Sequence, residues 1–151
     1  MKSNEILREQ ILFENLSEEE LLRIKGLLKE VTFKKGDSIF AVGEETRGIF
    51  LIQSGKIEIF KSTVDGWKQT LSVLGPGSFF GELSIIEDRR HEANAVAIED
   101  SELFLIAKED FKRIEREDLE LAVKILKKLV TVLSKNLRQM NDVFLKALVS
   151  Y

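Results

Sequence analysis

The spacing of the hydrophobic residues changes twice along the chain and divides it into three zones. In the first zone, from Asn4 to Leu28, apolar residues recur at helical spacing, which predicts two short helices. The second helix begins at Ser17–Glu20, an S-x-x-E sequence in which the serine hydroxyl accepts from a backbone N–H and the glutamate reaches back. This capping box predicts where the helix starts.

In the middle zone, from Thr32 to Ile106, apolar residues alternate with a period of two. The alternation predicts about six to eight short strands. The clearest lie at 49–52, 57–60, 69–74, 95–98 and 103–106. Asp65-Gly66 is a hairpin signal, and the sequence from Leu74 to Gly77 is a further turn. Strands of this kind, without strand–helix alternation, predict an antiparallel sandwich or barrel and argue against a parallel nucleotide-binding sheet.

The third zone has no glycine or proline after Lys108, and we expect one long helix from Glu109 to about Leu148. A heptad stripe follows it at Val123, Leu126, Val130, Leu133, Leu137, Met140, Phe144, Ala147 and Tyr151. A second apolar stripe contains Ala122, Ile125, Leu129 and Val132. We expect the second stripe to pack on the β-body and the heptad stripe to form a homodimer interface with a second copy. The alternative is a helix packed entirely on its own body.

Length and composition indicate one globular domain. The chain has 151 residues, of which 44% are hydrophobic and 32% are charged. We divide it into a helical lead-in (1–30), a β-body (31–108) and the long C-terminal helix (109–151). No apolar run is long enough to span a membrane and the N-terminus has no secretory signal, so we expect a cytoplasmic protein.

Residue usage argues against catalysis. The chain has no cysteine and a single histidine, His91, which excludes disulfides, thiolate zinc sites and metal centres built on several histidines. Paired carboxylates such as Glu87 and Asp88 occur without an accompanying base and orienting group. We therefore expect no enzymatic activity, no metal and no cofactor.

The net charge of −3 is unevenly distributed. Residues 1–30 and 31–122 sum to −2 and −6, whereas residues 123–151 sum to +5. A basic helix on an acidic body is compatible with nucleic acid, although the solvated flanks of a helical interface are the more common reason. Because no basic, aromatic-interleaved patch accompanies it, direct DNA binding is disfavoured.

The chain resembles the cyclic-nucleotide-binding domain of catabolite-activator proteins, protein kinase A regulatory subunits and nucleotide-gated channels. The matching stretches are 11–60 and 74–97, with the turn glycines Gly36, Gly43, Gly55 and Gly77 in family order. The resemblance covers about residues 11–140. It implies an antiparallel β jelly roll with flanking helices, and a regulatory module that senses cyclic AMP, cyclic GMP or a related anionic ligand. No helix-turn-helix follows the long helix, so we expect a stand-alone module with a separate protein effector.

The resemblance implies a phosphate-binding cassette at Phe80, Gly81, Glu82, Leu83 and Ser84. A glycine lets the backbone approach a ligand closely, and the N–H groups that follow converge on an anion. In the family, the glutamate at the position of Glu82 accepts a hydrogen bond from the ribose 2′-hydroxyl. Taken alone, G-E-L is better explained as a strand end followed by an ordinary helical turn; the family context favours the cassette.

The second anchor of the family, an arginine just before the next strand, is replaced in this chain. Aligning Val96 with the strand valine of the family places Glu92 at the arginine position and Ala93 where a hydroxyl is common. An arginine pairs with a phosphate, whereas a carboxylate repels it. The replacement therefore puts tight binding of a cyclic phosphate in doubt.

Two nearby arginines are candidate substitutes. Arg89 and Arg90 precede Glu92, and we favour Arg90 because it is closer in the sequence. The alternative is that both arginines pair with Glu87 and Asp88 in solvent. We expect His91 to be an exposed loop residue, and a role in ligand binding is the alternative.

The resemblance also places the long helix over the nucleotide base, at about Met140 and Asn141. The amide of Asn141 suits a purine edge, although a polar residue beside a helical interface needs no ligand. Two hypotheses stay open. Retained Gly81 and Glu82 favour a ligand-binding module, and the replaced arginine favours a degenerate domain that binds no nucleotide and acts as a dimeric protein-interaction scaffold.

Overall fold

Three short helical segments precede the β-body. They are α1 (Asn4–Arg8), a 3₁₀ turn (Ile11–Phe13) and α2 (Glu18–Leu27), in a computed structural model that describes residues 3–149. The predicted capping box of α2 is confirmed. The Ser17 hydroxyl accepts from the Glu20 N–H at 3.2 Å, and the Glu20 carboxylate accepts from the Ser17 N–H at 2.9 Å.

Two four-stranded antiparallel sheets form the body within residues 3–149. The strands are β1 (Lys29–Phe33), β2 (Ser38–Phe40), β3 (Gly48–Ser54), β4 (Ile57–Ser62), β5 (Lys68–Leu74), β6 (Phe79–Phe80), β7 (Asn94–Ala97) and β8 (Ser101–Ala107), with α3 (Glu82–Ile86) between β6 and β7. One sheet has the order β1-β8-β3-β6 and the other β2-β7-β4-β5. The predicted fold, an antiparallel β jelly roll with flanking helices, is confirmed.

The β4–β5 connection is the predicted Asp65-Gly66 hairpin. The Thr63 N–H donates to the Trp67 carbonyl at 2.7 Å. Gly66 has a φ of 84°, a left-handed conformation that glycine adopts without a steric penalty.

The strand β3 is buried on both faces and joins the two parts of the core. Ile49 and Leu51 pack against the helices on the outer side of their sheet. Phe50 and Ile52 point to the opposite face, into the space between the sheets. The Phe50 ring stacks on the Phe80 ring at 5.2 Å, so the predicted cassette begins directly on the core.

The C-terminal region corrects one prediction. Instead of one helix from Glu109, the chain forms α4 (Lys108–Glu117) and α5 (Leu119–Val149), separated at Asp118. Asp118 leaves the helical conformation (φ −141°, ψ 75°), and its carboxylate accepts from the Leu121 N–H at 3.2 Å. Aspartate is a favoured helix N-cap because it satisfies such an unpaired donor, and here it starts a new helix without glycine or proline.

The two predicted stripes of α5 have different surroundings. In the second stripe Ala122, Ile125 and Leu129 are buried against the body, and Val132 packs beside them. The heptad stripe is mostly exposed, at Val123, Val130, Leu137, Met140, Phe144 and Ala147. Because of this exposure, the alternative of a helix packed entirely on its own body is wrong for the described residues.

Two members of the heptad stripe point inward. Leu126 is half-buried against the core, and Leu133 lines a cavity. Tyr151 lies outside the described residues. All residues from 135 to 149 are exposed, and none of residues 140–149 lines this cavity, so about the last three turns of α5 extend beyond the body. Among the described residues, no helix is long and apolar enough to cross a membrane.

Candidate ligand-binding site

A cavity of about 760 Å³ lies between the β-body and α5, a size typical of small-molecule sites. Its wall is formed by β2, β4, β5, β6, α3, the segment that follows α3, and α5. All five predicted cassette residues line it: Phe80, Gly81, Glu82, Leu83 and Ser84. The local turn and the sandwich therefore bring the predicted cassette to one wall of the cavity.

Gly81 forms the sharp entry into α3. Its φ is 83°, in the left-handed region, and it occupies the N-cap position of the helix. A Cβ at this position would lie 3.2 Å from the Gly48 carbonyl oxygen and 3.6 Å from the Phe40 ring. Glycine is therefore required both by conformation and by the close approach of β2 and β3.

Glu82 presents a buried carboxylate on the cavity wall. The residue is 9% exposed, and within residues 3–149 no other side chain forms a hydrogen bond or ion pair with it. Burial raises the pKa of the Glu82 carboxyl, and the hydrogen bond from its own backbone N–H opposes the rise in pKa only in part. The group is an acceptor that still lacks a strong donor.

The structure separates the two candidate arginines. Arg89 lines the cavity and donates to Glu92 at 2.7 Å and to Glu87 at 2.9 Å. Arg90 lies outside the cavity and donates to the Gly43 carbonyl at 2.9 Å. We favoured Arg90 as the substitute because it is closer to Glu92 in the sequence. The structure does not place it at the site, because its hydrogen bond holds it against Gly43, outside the cavity.

The residues at the predicted arginine position form the rim of the cavity. Glu92 and Ala93 both line it. The Glu92 side chain is 58% exposed and is held by Arg89.

The alternative in which both arginines pair with Glu87 and Asp88 is only partly correct. Asp88 does not pair with either arginine, because its carboxylate bonds Lys108 at the start of α4, at 3.2 Å. That alternative holds only for the pair between Arg89 and Glu87.

The prediction that His91 is an exposed loop residue is wrong. His91 is 4% exposed and lines the cavity. Its ring lies parallel to the Phe40 ring at 3.6 Å, and its Nδ1 is 3.0 Å from the Ser84 hydroxyl. Its backbone is fixed as well, since the His91 N–H donates to the Glu44 carbonyl and its carbonyl accepts from the Gly43 N–H. The sequence around His91 does not predict its burial, because the residues that contact its ring come from β2 and α3.

The helix α5 contributes different residues from those predicted. Asn141 does not line the cavity, and neither does Met140; both lie on the exposed half of the helix. The polar residues that α5 does present are Asn136 and Gln139. They continue the inward stripe of Leu129 and Val132 at helical spacing, and Asn141 falls off that stripe.

Basic residues surround the cavity on three sides. Lys61 on β4, Arg89 after α3, and Lys128 and Lys135 on α5 all line it. Lys128 pairs with Glu14 at 3.1 Å, whereas Lys61 and Lys135 form no ion pair with any residue from 3 to 149. No group of three or more histidine, cysteine or acidic residues in the described chain is arranged to hold a metal ion. The charge distribution suits an anionic ligand.

Comparison with known proteins agrees with this geometry. The family model described as the cyclic nucleotide-binding domain matches residues 30–118. The cyclic AMP receptor protein of Thermus thermophilus is 34% identical over 105 residues, which cover 70% of this chain and 49% of that protein. The chain therefore spans about half the length of this relative.

Two solved structures extend the comparison. The catabolite activator protein of Thermus thermophilus matches with a TM-score of 0.76 and 33% identity, over 92% of this chain and 63% of that one. The regulatory domain of Toxoplasma gondii PKA, crystallised with cAMP, matches with a TM-score of 0.66 and 25% identity, over 74% of this chain and 42% of that one. Since the family model covers more than half of the sequence, the chain belongs to the cyclic nucleotide-binding domain family.

Proposed function

We propose that this domain is a regulatory module that binds a cyclic nucleotide in the cavity between the β-body and α5. The proposal is carried by Glu82, a carboxylate that is 9% exposed, lines the cavity and has no side-chain partner in the described chain. Burying an ionisable group without a partner costs free energy. A domain that binds nothing gains nothing from this burial, whereas a binding site gains an acceptor for a ligand hydroxyl.

In this proposal the ribose and phosphate lie against the cassette and the base lies against α5. Glu82 accepts from the ribose 2′-hydroxyl, and the left-handed turn at Gly81 directs the residues that follow it along the cavity wall. Asn136 and Gln139 offer amide donors and acceptors to the edge of the base. The relatives support this ligand class, since one is named a cyclic AMP receptor protein and another was crystallised with cAMP.

The proposal includes weak binding of cyclic AMP. The one arginine on the cavity wall, Arg89, is already bonded to the carboxylates of Glu87 and Glu92. A phosphate must compete with both carboxylates for this guanidinium and is repelled by them. We infer a Kd weaker than about 100 μM for cyclic AMP at neutral pH.

A second candidate function is a dimeric protein-interaction scaffold that binds no nucleotide. It is favoured by the exposed apolar stripe of α5, on which Val130, Leu137, Met140 and Phe144 are each more than half exposed. Apolar residues repeated at heptad spacing on a projecting helix are typical of a helix–helix interface. A homodimer through this stripe is compatible with both functions, and a separate protein effector would bind such a dimer in either case.

A thermal-shift experiment separates the two functions. Cyclic AMP and cyclic GMP are each added at about 10 mM. This concentration stabilises the protein by roughly 2.7 kcal/mol if the Kd is about 100 μM, and by roughly 1.4 kcal/mol if the Kd is about 1 mM. The wild type is compared with Glu82→Gln, which removes the charged acceptor. The matched control is Glu102→Gln, the same change on an exposed position of β8, outside the cavity.

The binding proposal requires a rise in Tm for the wild type and the Glu102→Gln control, and a much smaller rise for Glu82→Gln. If neither nucleotide shifts the Tm of the wild type, the binding proposal is wrong and the scaffold function is favoured. An equal shift in all three proteins would show that the ligand binds without Glu82.

A further inference from the structure

His91, the only histidine in the chain, is built into the cavity wall beside the cassette. The ring is fixed on one face by Phe40, in a parallel stack at 3.6 Å, and at its edge by Ser84, whose hydroxyl lies 3.0 Å from Nδ1. The stack and the hydrogen bond set the orientation of the imidazole before any ligand arrives.

The hydrogen bond to Ser84 is compatible with both protonation states of the ring. A hydroxyl donates to an unprotonated Nδ1, and after rotating about its C–O bond it accepts from a protonated one. The ring can therefore gain or lose a proton without moving. Its other nitrogen, Nε2, has no hydrogen-bond partner among the described residues and is left for a ligand.

The charged group that acts directly on the ring is Glu44, on the loop after β2. Other charged residues line the same cavity: Glu82 on α3, Arg89 and Glu92 on the segment of His91, Lys61 on β4, and Lys128 and Lys135 on α5, while Arg90 beside His91 lies outside it. Burial lowers the pKa of the His91 imidazole, and the Glu44 carboxylate opposes this effect without cancelling it. Without a ligand the neutral form of this ring is therefore favoured more than in an exposed histidine.

The arginines are less available to a ligand than this ring. Arg89 is held by two carboxylates, and Arg90 is bonded outside the cavity to Gly43 and Glu45. On the cassette side of the cavity, His91 is thus the group that can gain a positive charge without breaking an ion pair.

We propose that His91 is the proton-linked anchor of this site: the anionic phosphate of the ligand bonds to Nε2 and binds together with a proton that His91 takes up from solvent. The inference rests on the proposed function, because it needs a ligand in the cavity. Its physical basis is that an anion beside the ring favours the charged form. Binding of the anion and binding of the proton therefore strengthen each other.

The linkage has a definite sign. Affinity for a cyclic nucleotide is lowest above the pKa of His91 in the complex, rises as the pH falls through that pKa, and levels off below the pKa of the free protein. Glu82 has the opposite effect. Its carboxylate loses charge as the pH falls, which weakens its hydrogen bond to a ribose hydroxyl, so the two residues give slopes of opposite sign.

The direct test is an NMR pH titration of the imidazole in the untagged protein, free and then saturated with cyclic AMP or cyclic GMP. Because the chain has a single histidine, the imidazole signal needs no further assignment. We expect a pKa below that of an exposed histidine in the free protein, and a pKa higher by about one unit or more in the complex. A pKa that binding leaves unchanged or lowers overturns the inference, while the nucleotide-binding function still stands.

Two variants supply an independent readout. His91→Arg carries a fixed charge, and we expect it to bind cyclic AMP about tenfold tighter than the wild type at about pH 8, with little dependence on pH. His91→Gln is neutral, and we expect weak binding that does not improve at low pH. If neither variant folds by circular dichroism, the titration of the wild type decides alone. A folded His91→Arg that binds more weakly than the wild type overturns this inference alone. Absence of nucleotide binding to both the wild type and a folded His91→Arg overturns the proposed function as well.

Discussion

Arg89 and Glu92 are bonded to each other at the rim of the cavity, with 2.7 Å between the guanidinium and the carboxylate. Among residues 3–149, Arg89 is the only arginine on the cavity wall, and it is paired by the residue that stands where the resemblance predicts an arginine. The site has the carboxylate and the glycine turn that the resemblance implies for the cassette, but its arginine is already paired with carboxylates. Under the proposed function, we expect affinity for an anion to depend on this pair as well as on the cavity shape.

Replacing Glu92 tests that relationship. In Glu92→Arg a repelling carboxylate becomes a cation and Arg89 loses one of its two partners, so we expect binding of cyclic AMP to improve at least tenfold, or about 1.4 kcal/mol. Isothermal titration at fixed salt measures the change. Glu45→Arg is the matched control, because Glu45 pairs with Arg90 outside the cavity. Equal gains in both variants would mean that overall charge, rather than the rim, controls affinity.

Removing the charge of Glu82 is expected to stabilise the empty protein. The folded-state pKa of Glu82 is raised, so the charged carboxyl destabilises the fold at pH values above that raised pKa, and the effect disappears below the ordinary pKa. Glu82→Gln should therefore be more stable than the wild type at neutral pH, with a higher Tm.

Thermal unfolding without ligand, followed from neutral to acidic pH, checks this expectation. The difference between Glu82→Gln and the wild type should shrink as the pH falls. A lower Tm for Glu82→Gln at neutral pH would show that the carboxylate stabilises the fold, and its burial would no longer indicate a binding role.

The heptad stripe of α5 is expected to form a homodimer. Leu133 lies on the cavity wall, so the exposed Leu137 is the cleaner position to test. Leu137→Glu would bury a carboxylate at each of two symmetric positions, which costs roughly 2–4 kcal/mol, and should sediment as a monomer. Gln139→Glu adds the same charge on the opposite side of the helix and should sediment like the wild type. A wild type that is monomeric at high micromolar concentration would refute the dimer.

The start of α5 depends on Asp118. Asp118→Ala removes the acceptor for the Leu121 N–H and should cost about 1 kcal/mol of stability in chemical denaturation. Asp118→Asn keeps an equally good N-cap and removes the charge that faces Arg23 at 3.5 Å, so only a small loss is expected. Equal losses in the two variants would assign the effect to the ion pair instead of the cap.

Features set by neighbours in the sequence could be predicted, and features set by contacts between distant segments could not. The capping box of Ser17 and Glu20 and the turn at Asp65-Gly66 depend on a few adjacent residues, and both were predicted. The break at Asp118 was missed because it follows a helical sequence without glycine or proline. The break is visible only in the structure, where the Leu121 N–H donates to the Asp118 carboxylate and not to a helical carbonyl.

The same distinction applies to the site. The cassette around Gly81 is a local turn, and its residues do line the cavity. The burial of His91 depends on Phe40 in another strand, and the pairing of Arg89 depends on the path of the chain after α3, so neither followed from sequence proximity. Asn141 was misplaced because it lies beside the exposed part of the heptad stripe, whereas the residues of α5 that line the cavity continue the buried stripe of Leu129 and Val132.

The hydrogen bond between Glu82 and a ribose 2′-hydroxyl is the central claim, and isothermal titration of cyclic AMP against 2′-deoxy cyclic AMP tests it most directly. A hydrogen bond to a charged acceptor contributes roughly 1.5–3 kcal/mol, so the wild type should prefer cyclic AMP by about tenfold or more, and Glu82→Gln should show little preference. Equal affinity of the wild type for the two nucleotides, or a preference that persists in Glu82→Gln, would contradict the claim.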